Sequence, residues 1–179
     1  MRNKRDSLKL EGSYHGEIKG KLRHGYGIMK WPDGSVFEGQ WRWGKFHGKG
    51  KLCWPNGDVY EGEFNNNAAN GIGKLTTYKS SVYEGSWKDN HQWGEGEEIW
   101  EDGTKYKGEY ERGVKQGLGI FSWSDGSYYE GSFKDNKIEG NGQYFWADGR
   151  SYKGEWKANK MEGEGEYSWP QDEKVVKKD

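Results

Sequence analysis

Apolar and polar residues alternate along most of this chain, and the alternation repeats with a period of 23 residues. The pattern aromatic-x-Gly occurs seven times at this spacing, at Tyr14, Phe37, Tyr60, Tyr83, Tyr106, Tyr129 and Tyr152. A strict period of this length is typical of repeat proteins, whose units bury their apolar faces against their neighbours. We predict seven units, at residues 14–36, 37–59, 60–82, 83–105, 106–128, 129–151 and 152–174, between a polar N-terminal segment (1–13) and a charged tail (175–179).

Each unit has the pattern of two strands. Counted from the leading aromatic residue as position 0, position 2 is glycine and position 4 is large and apolar in all seven units. These positions share one face of a strand, because side chains alternate with period two. Positions 11 and 13 are again glycine, and positions 15 and 17 are mostly apolar. The sequence predicts an all-β fold: an elongated, single-layer antiparallel ribbon of hairpins with about 14 strands of roughly 4 to 6 residues.

The turns fix how these strands pair. If positions 7 and 8 form a two-residue hairpin loop, position 4 faces position 11, and we expect the ring at position 4 to lie flat over the glycine backbone. The second turn, for example Pro32-Asp33-Gly34, separates one unit from the next. A two-residue loop there would move the next aromatic residue to the opposite face, so we predict three-residue connections.

Composition supports a single layer. Hydrophobic residues make up 31% of the chain, and its 30 glycines stand beside 11 Trp and 12 Tyr. So few aliphatic residues cannot fill a three-layer globule, whereas a sheet faced with aromatic rings needs fewer. No stretch of 18 apolar residues and no signal peptide is visible, so we expect a soluble, intracellular protein. The single cysteine, Cys53, suits a reducing compartment.

The best-formed unit reads Tyr129-Glu130-Gly131-Ser132-Phe133-Lys134-Asp135-Asn136-Lys137, followed by Gly140-Asn141-Gly142 and Trp146-Ala147-Asp148-Gly149. It resembles the MORN (membrane occupation and recognition nexus) repeat, and the resemblance extends over residues 14–174. The resemblance implies a single-layer scaffold that binds partner helices along an aromatic groove or self-associates into dimers. It also implies a place in ciliary radial spokes or cytoskeletal collars, or beside a catalytic domain, of which we see none here.

Two units depart from this pattern. Repeat one has Ile18 in place of the aromatic residue at position 4, so we expect its edge to pack less well. Repeat three has Thr77 in place of Trp at position 17, and Lys79-Ser80-Ser81 in place of the Asp-Gly turn. We expect a local bend or soft joint near residues 76–82.

No set of residues suggests catalysis. The Gly-x-Gly pairs lack the following helix of a phosphate-binding loop. His24 and His47 hold equivalent positions about 10 Å apart, too far to share a metal ion, and we expect the histidines to be exposed. Paired carboxylates such as Glu97/Glu98 are expected to be solvated, and Cys53 to be an unactivated thiol. We predict a non-enzyme with no catalytic residue, cofactor or metal site.

The aromatic face is the candidate site for a protein partner. A single layer has no second layer to cover it, so we expect a helical or extended partner segment along a groove; the alternative is that the rings only pack on one another. The predicted groove residues are Trp31, Trp54, Tyr60, Tyr83, Trp87, Trp100, Tyr106, Phe121, Trp123, Tyr129, Tyr144, Trp146, Tyr152 and Trp169.

Charge suggests a second candidate function. Residues 1–60 carry a net charge of +6 and residues 61–140 carry −6. The basic end could bind anionic lipid as a peripheral membrane tether, and the asymmetry could support an antiparallel homodimer. The overall charge of −1 argues against nucleic acid. The candidate lipid-binding residues are Lys19, Lys21, Arg23, Arg42 and Lys45. We expect a cytoplasmic, cytoskeleton-associated scaffold, for which the MORN resemblance implies the axoneme of a cilium or flagellum as one setting. The alternatives are the membrane tether and a detached regulatory module of a separate enzyme.

Overall fold

The computed structural model describes residues 12–170 and consists of strands joined by turns. Most of the predicted N-terminal segment, the end of the last unit and the predicted tail lie outside the described residues. The strands are β1 (Ser13–Lys19), β2 (Leu22–Lys30), β3 (Val36–Arg42), β4 (Lys45–Cys53), β5 (Val59–Asn65), β6 (Ala68–Thr76), β7 (Ser81–Lys88), β8 (His91–Trp100), β9 (Lys105–Glu111), β10 (Val114–Ser122), β11 (Tyr128–Lys134), β12 (Lys137–Phe145), β13 (Ser151–Lys157) and β14 (Lys160–Ser168).

These strands form one open antiparallel sheet in which spatial order equals chain order. Each unit supplies one hairpin, which confirms the predicted all-β ribbon of 14 strands. The predicted strand length was wrong: the strands have 7 to 10 residues, because each continues through its glycines to the turn.

The hairpin turn falls at positions 6 and 7, so the predicted loop at positions 7 and 8 was wrong. In repeat six, Lys134 faces Lys137 across Asp135 and Asn136, whose φ angles are 49° and 64°. Two residues with positive φ define a type I′ turn, which matches the twist of the flanking strands. A β-bulge after Gly131 then restores the register, so position 4 faces position 9 rather than position 11 within its hairpin.

The turn asparagine also joins neighbouring repeats. Asn136 Oδ1 accepts a hydrogen bond from the backbone N–H of Lys115 at 2.8 Å, and the Asn136 N–H donates to the Lys115 carbonyl at 3.1 Å. Asn67, Asn90 and Asn159, at the same turn position in repeats three, four and seven, make the same pair of bonds to the repeat before them. Asparagine therefore serves both the left-handed backbone and the contact between repeats.

The three-residue connections between repeats are confirmed. In the first, Trp31 N–H donates to the Ser35 carbonyl at 2.9 Å, and Gly34, at φ 94°, donates to the Trp31 carbonyl at 3.0 Å. In repeat three the Thr77 hydroxyl donates to the Ser81 carbonyl at 3.0 Å, and Lys79 takes the positive φ angle. Strand pairing continues on both sides of this turn, so the sheet is not interrupted near residues 76–82. The expected flexibility of this segment stays a prediction.

The ring that covers the glycine backbone is the one at position 0, so its assignment to position 4 was wrong. A Cβ added to Gly142 would overlap the Tyr129 ring, and one added to Gly131 would approach the same ring and the backbone of Gly142. The Tyr129 hydroxyl donates to the carbonyl of Ser132, beside the bulge, at 3.2 Å. Burial raises the pKa of Tyr129 and of Tyr83 to about 12.

The position 4 rings pack edge-on between successive position 0 rings. The centroid of the Phe133 ring lies 5.4 Å from that of Tyr129 in its own repeat and 5.0 Å from that of Tyr106 in the preceding repeat. The ring planes are nearly perpendicular in both pairs, at 84° and 82°. The position 4 side chains of repeats two to seven are all buried, whereas Ile18 in repeat one is 61% exposed. The single layer therefore has an aromatic core of its own, and the expected poor packing of its first edge is confirmed.

Replacement of Gly142 by alanine tests this packing. Gly142→Ala should lower the free energy of unfolding by about 1–3 kcal/mol, because the new methyl group overlaps the Tyr129 ring. Urea denaturation measures the loss. Asn141→Ala, at the adjacent exposed residue, is the control and should change stability by less than about 0.5 kcal/mol. Equal stability of the two variants would contradict the packing described.

Candidate protein-binding surface

Burial divides the predicted groove residues into two groups. The structure buries Tyr60, Tyr83, Trp87, Tyr106, Tyr129 and Tyr152 in the aromatic core. It leaves Trp31, Trp54, Trp100, Phe121, Trp123, Tyr144, Trp146 and Trp169 at least partly exposed. The first group cannot contact a partner unless the sheet rearranges, so the candidate surface narrows to the second.

Seven rings of positions 15 and 17 form a continuous line along repeats four to seven, which we call the aromatic row. Neighbouring ring centroids lie 4.8 to 6.1 Å apart along the whole line. The predicted groove residues do not include Tyr167, although its place at position 15 puts it on the same apolar face. The row consists of Trp100, Phe121, Trp123, Tyr144, Trp146, Tyr167 and Trp169.

The row tryptophans keep their hydrogen-bond donors available. In residues 12–170, the Nε1–H of the core tryptophans Trp41, Trp87 and Trp156 donates to a glycine carbonyl of the preceding repeat at 3.0 to 3.3 Å. Within the same residues, none of the four row tryptophans donates its Nε1–H to a protein acceptor. Within the part of the chain that the structure describes, the row thus offers both apolar ring faces and N–H groups that make no hydrogen bond, a combination found at binding surfaces.

A buried ion pair stands at the start of the row. Lys115 Nζ lies 3.6 Å from Glu98 Oε2, and the two side chains are only 14% and 15% exposed. The Ser81 and Tyr110 hydroxyls also donate to the Glu98 carboxylate, at 2.9 and 3.2 Å. Lys115 lies over the Trp100 ring at 4.8 Å. Burial lowers the pKa of Lys115, and the Glu98 carboxylate opposes that shift. The expectation that Glu98 is solvated was wrong.

A groove lies on the opposite face from the aromatic row. It is an open depression of about 1060 Å³ in the C-terminal half of the sheet. Its walls include the apolar Leu118 and Ile120 and the charged Glu95, Lys107 and Glu130, between the glycine backbones of the sheet. The aromatic row is therefore separate from this groove.

The predicted lipid-binding residues do not form one patch. Lys19, Lys21, Arg42 and Lys45 are exposed near the first two hairpin turns. Arg23 instead lies on the aromatic face, 5.4 Å from the Tyr14 ring and 5.2 Å from the Trp41 ring. Sequence reasoning missed two exposed apolar residues among the cations, Leu22 and Trp43, which are 45% and 52% exposed.

The histidines and the cysteine are exposed or half-buried. His15 and His91 are exposed as expected, but His24 and His47 are half-buried and line one open depression of about 370 Å³, so that part of the expectation was wrong. In residues 12–170, no group of three or more His, Cys, Asp or Glu side chains could hold a metal ion. Cys53 is half-buried, opposite Val36 and Val59 on the neighbouring strands.

The family model of the MORN repeat matches seven segments, at residues 14–36, 37–59, 60–82, 83–105, 106–128, 129–149 and 152–172. The chain belongs to the MORN repeat family. This MORN protein matches no curated protein sequence. None of its described segments, between residues 12 and 170, is a helix long and apolar enough to cross a membrane.

The solved structures similar to this MORN protein include the following two. One is the TCP domain of SAS-4 (dCPAP) of Drosophila melanogaster in complex with a proline-rich motif of Ana2 (dSTIL), with 12% identity and a TM-score of 0.51, covering 87% of this chain and 88% of that one. The other is a variant of the TCP10 domain of Danio rerio CPAP, with 15% identity and a TM-score of 0.35, covering 73% and 67%. The first likeness concerns the fold alone.

The ion pair allows a stability test with its own control. Lys115→Ile leaves Glu98 buried without its cation and should cost about 2 kcal/mol in urea denaturation. Adding Glu98→Leu should recover most of that loss, because other repeats carry Ile138 and Leu75 at these two positions. A double variant no more stable than the single one would contradict the pairing.

Proposed function

We propose that this MORN protein is a non-catalytic scaffold that holds a partner protein by binding an extended, proline-rich segment along the aromatic row. The observation that supports this most is the row itself, seven partly exposed rings whose four indole N–H groups donate to no acceptor within residues 12–170. Proline-rich segments bind to surfaces of this kind, where aromatic rings contact the prolines and side-chain donors bond to the free backbone carbonyls.

The spacing of the row favours an extended ligand. Successive position 17 tryptophans, such as Trp123 and Trp146, are two strands apart, or about 9.6 Å. A polyproline II helix advances about 9.3 Å in one turn of three residues, so prolines three residues apart stay in step with the tryptophans. A heptad of an α-helix advances about 10.5 Å, so its anchors drift from the row after a few repeats.

The similar ribbon of SAS-4 adds support, since that domain was solved with a proline-rich motif. We assign the same class of partner to this chain because its own row has the matching spacing. The family resemblance motivates the cellular setting of this proposal, a cytoskeletal or ciliary assembly in which a rigid ribbon holds other proteins at a fixed distance.

Selection from a random peptide library tests the proposal. A phage-displayed library of 12-residue peptides, selected on the full chain, should become enriched in sequences with prolines three residues apart. The variant Trp123→Ala/Trp146→Ala should bind the selected peptides at least tenfold more weakly in fluorescence polarisation, since it lacks two central anchors.

The control is Tyr26→Ala/Ile72→Ala, which removes two exposed apolar side chains from the opposite face. It should bind the selected peptides as the parent protein does. Circular dichroism must show that both double variants are folded. Enrichment of amphipathic, proline-free peptides, or equal binding by the folded tryptophan variant, would refute the extended-ligand proposal.

A second candidate function is a peripheral membrane tether at the first two hairpin turns. Leu22 lies beside the turn at Trp43-Gly44, and the Lys19 ammonium is 5.1 Å from the Trp43 ring. Exposed tryptophan and leucine among lysines and arginines suit the interface of an anionic bilayer, where the rings insert and the cations bind headgroups.

Vesicle co-sedimentation tests this candidate. The full chain should bind phosphatidylcholine vesicles only when they contain phosphatidylserine or a phosphoinositide, and binding should fall as salt rises. Lys21→Glu/Arg42→Glu/Lys45→Glu and Leu22→Ala/Trp43→Ala should each abolish it. Arg23 is left in place because it packs on the core rings. Binding to neutral vesicles, or unchanged binding by both variants, would exclude the candidate.

A further inference from the structure

The two outer strands of the sheet each have one neighbour. Among the described residues, β1 pairs with β2 alone, and β14 pairs with β13 alone. Such edges carry a row of backbone N–H and C=O groups that can pair with another strand. In this ribbon β1 is the first strand of a repeat and β14 is the second strand of a repeat. Inside the sheet, a second strand of one repeat always pairs with the first strand of the next.

Each edge exposes side chains that internal repeats bury. Ile18 is 61% exposed at position 4, whereas the six other residues at that position are at most 8% exposed. At the other edge, Tyr167 and Trp169 are 50% and 66% exposed, while the corresponding Tyr144 and Trp146 are half-buried against the next repeat. The missing cover on each edge is the neighbour that an internal repeat has.

The internal junctions define the register that a new neighbour would take. Between β12 and β13, Gly140 faces Trp156, Gly142 faces Gly154, and Tyr144 faces Tyr152. The same positions face each other at every other junction between repeats. We propose that β14 of one copy pairs with β1 of a second copy in this register, so that Gly165 faces Gly16 and the ribbons join end to end.

Two side-chain contacts of the internal junctions would be reproduced. Glu139 accepts a hydrogen bond from the backbone N–H of Ala158 in the next repeat at 2.8 Å. At the joint, Glu162 holds the position of Glu139 and Gly20 of the second copy holds the position of Ala158, so the same bond can form. The equivalent of Lys115 over Trp100 is Arg23 of the second copy over Trp169, a cation–π contact that covers the most exposed ring of the aromatic row.

The charges of the two edges are complementary. The last hairpin, residues 151–168, has four glutamates against three lysines, a net charge of −1, and three of its glutamates, Glu162, Glu164 and Glu166, lie on β14. The first hairpin, residues 13–30, has four lysines and arginines against Glu17, a net charge of +3. Glu166 would face His15, and one like-charged pair, Glu164 with Glu17, would repeat the pairing of Glu95 with Glu109 inside the sheet. Opposite net charge favours joining unlike edges over joining two copies of the same edge.

This association uses two different surfaces, so it does not close on itself as a symmetric dimer does. A joint between unlike edges leaves a free β1 at one end and a free β14 at the other, and growth continues with concentration. The product is a longer ribbon in which the repeat pattern runs across the joint. The joint would be the same at every step and would weaken as salt screens the edge charges.

Disulfide trapping tests the register. Positions 14 and 1 face each other across every junction, and Lys51 and Glu61, at those positions, form an ion pair at 3.4 Å. Full-length His15→Cys and Glu166→Cys, each with Cys53→Ser, are mixed and mildly oxidised. We expect disulfides between residues 15 and 166 of different chains, and a ladder of oligomers from one chain that carries both cysteines. Products linked only 166 to 166 or 15 to 15 would overturn the proposal.

Sedimentation velocity provides a readout that does not depend on disulfide chemistry. The unmodified chain should form species larger than dimers as its concentration rises, and these should diminish with added salt. Glu162→Lys/Glu166→Lys should lose them, whereas Glu61→Lys/Glu84→Lys, the same change of charge in the middle of the ribbon, should keep them. A chain that stays monomeric, or that stops at a dimer, would contradict end-to-end joining.

Discussion

The contact between an aromatic ring and a pair of facing glycines holds this ribbon together. The position 0 ring lies over the two glycines of its own hairpin, and its hydroxyl, where it is tyrosine, bonds to a carbonyl beside the bulge in repeats one and three to six. Glycine is required because any Cβ there would occupy the space of the ring, and the ring is required because bare glycine backbone weakens a strand. The glycines and the ring at position 0 therefore depend on each other. The ring at position 4 packs edge-on against the position 0 rings.

A sheet that builds its core in this way needs no second layer, which explains how so few aliphatic residues suffice. The same packing decides what is left for function. Rings at positions 0 and 4 are committed to the core, while rings at positions 15 and 17 stand beside it with open faces. The aromatic row exists because the second strand of each repeat continues past its glycines to positions 15 and 17. Only repeats four to seven carry enough rings at these positions to make the row continuous.

The sequence was sufficient to predict the hairpin ribbon and the loops between repeats, because both follow from parity: alternating side chains and a fixed period allow a three-residue connection there and not a two-residue one. It was not sufficient for the hairpin turn. The two-residue turn and the bulge depend on the local backbone conformation, which the structure shows as positive φ angles at residues such as Asp135 and Asn136. The pattern of apolar and polar residues does not specify these angles. For the same reason the glycines were matched with the wrong ring. The Glu98–Lys115 pair was missed because each residue looked like a surface charge until the fold placed them 3.6 Å apart; their places at the apolar positions 15 and 9 were the available signal.

Ring-current shifts in NMR test the central contact most directly. The Cβ direction of Gly142 points at the Cζ and Cε2 atoms of the Tyr129 ring, so the Hα proton in that direction should resonate well upfield of ordinary glycine. Tyr129→Leu should return it to an ordinary value while leaving the equivalent proton of Gly96 beside Tyr83 unchanged. Ordinary glycine shifts in the unmodified chain, or upfield shifts that vanish with Phe133→Leu and persist in Tyr129→Leu, would contradict the assignment of position 0 as the ring that covers the glycines.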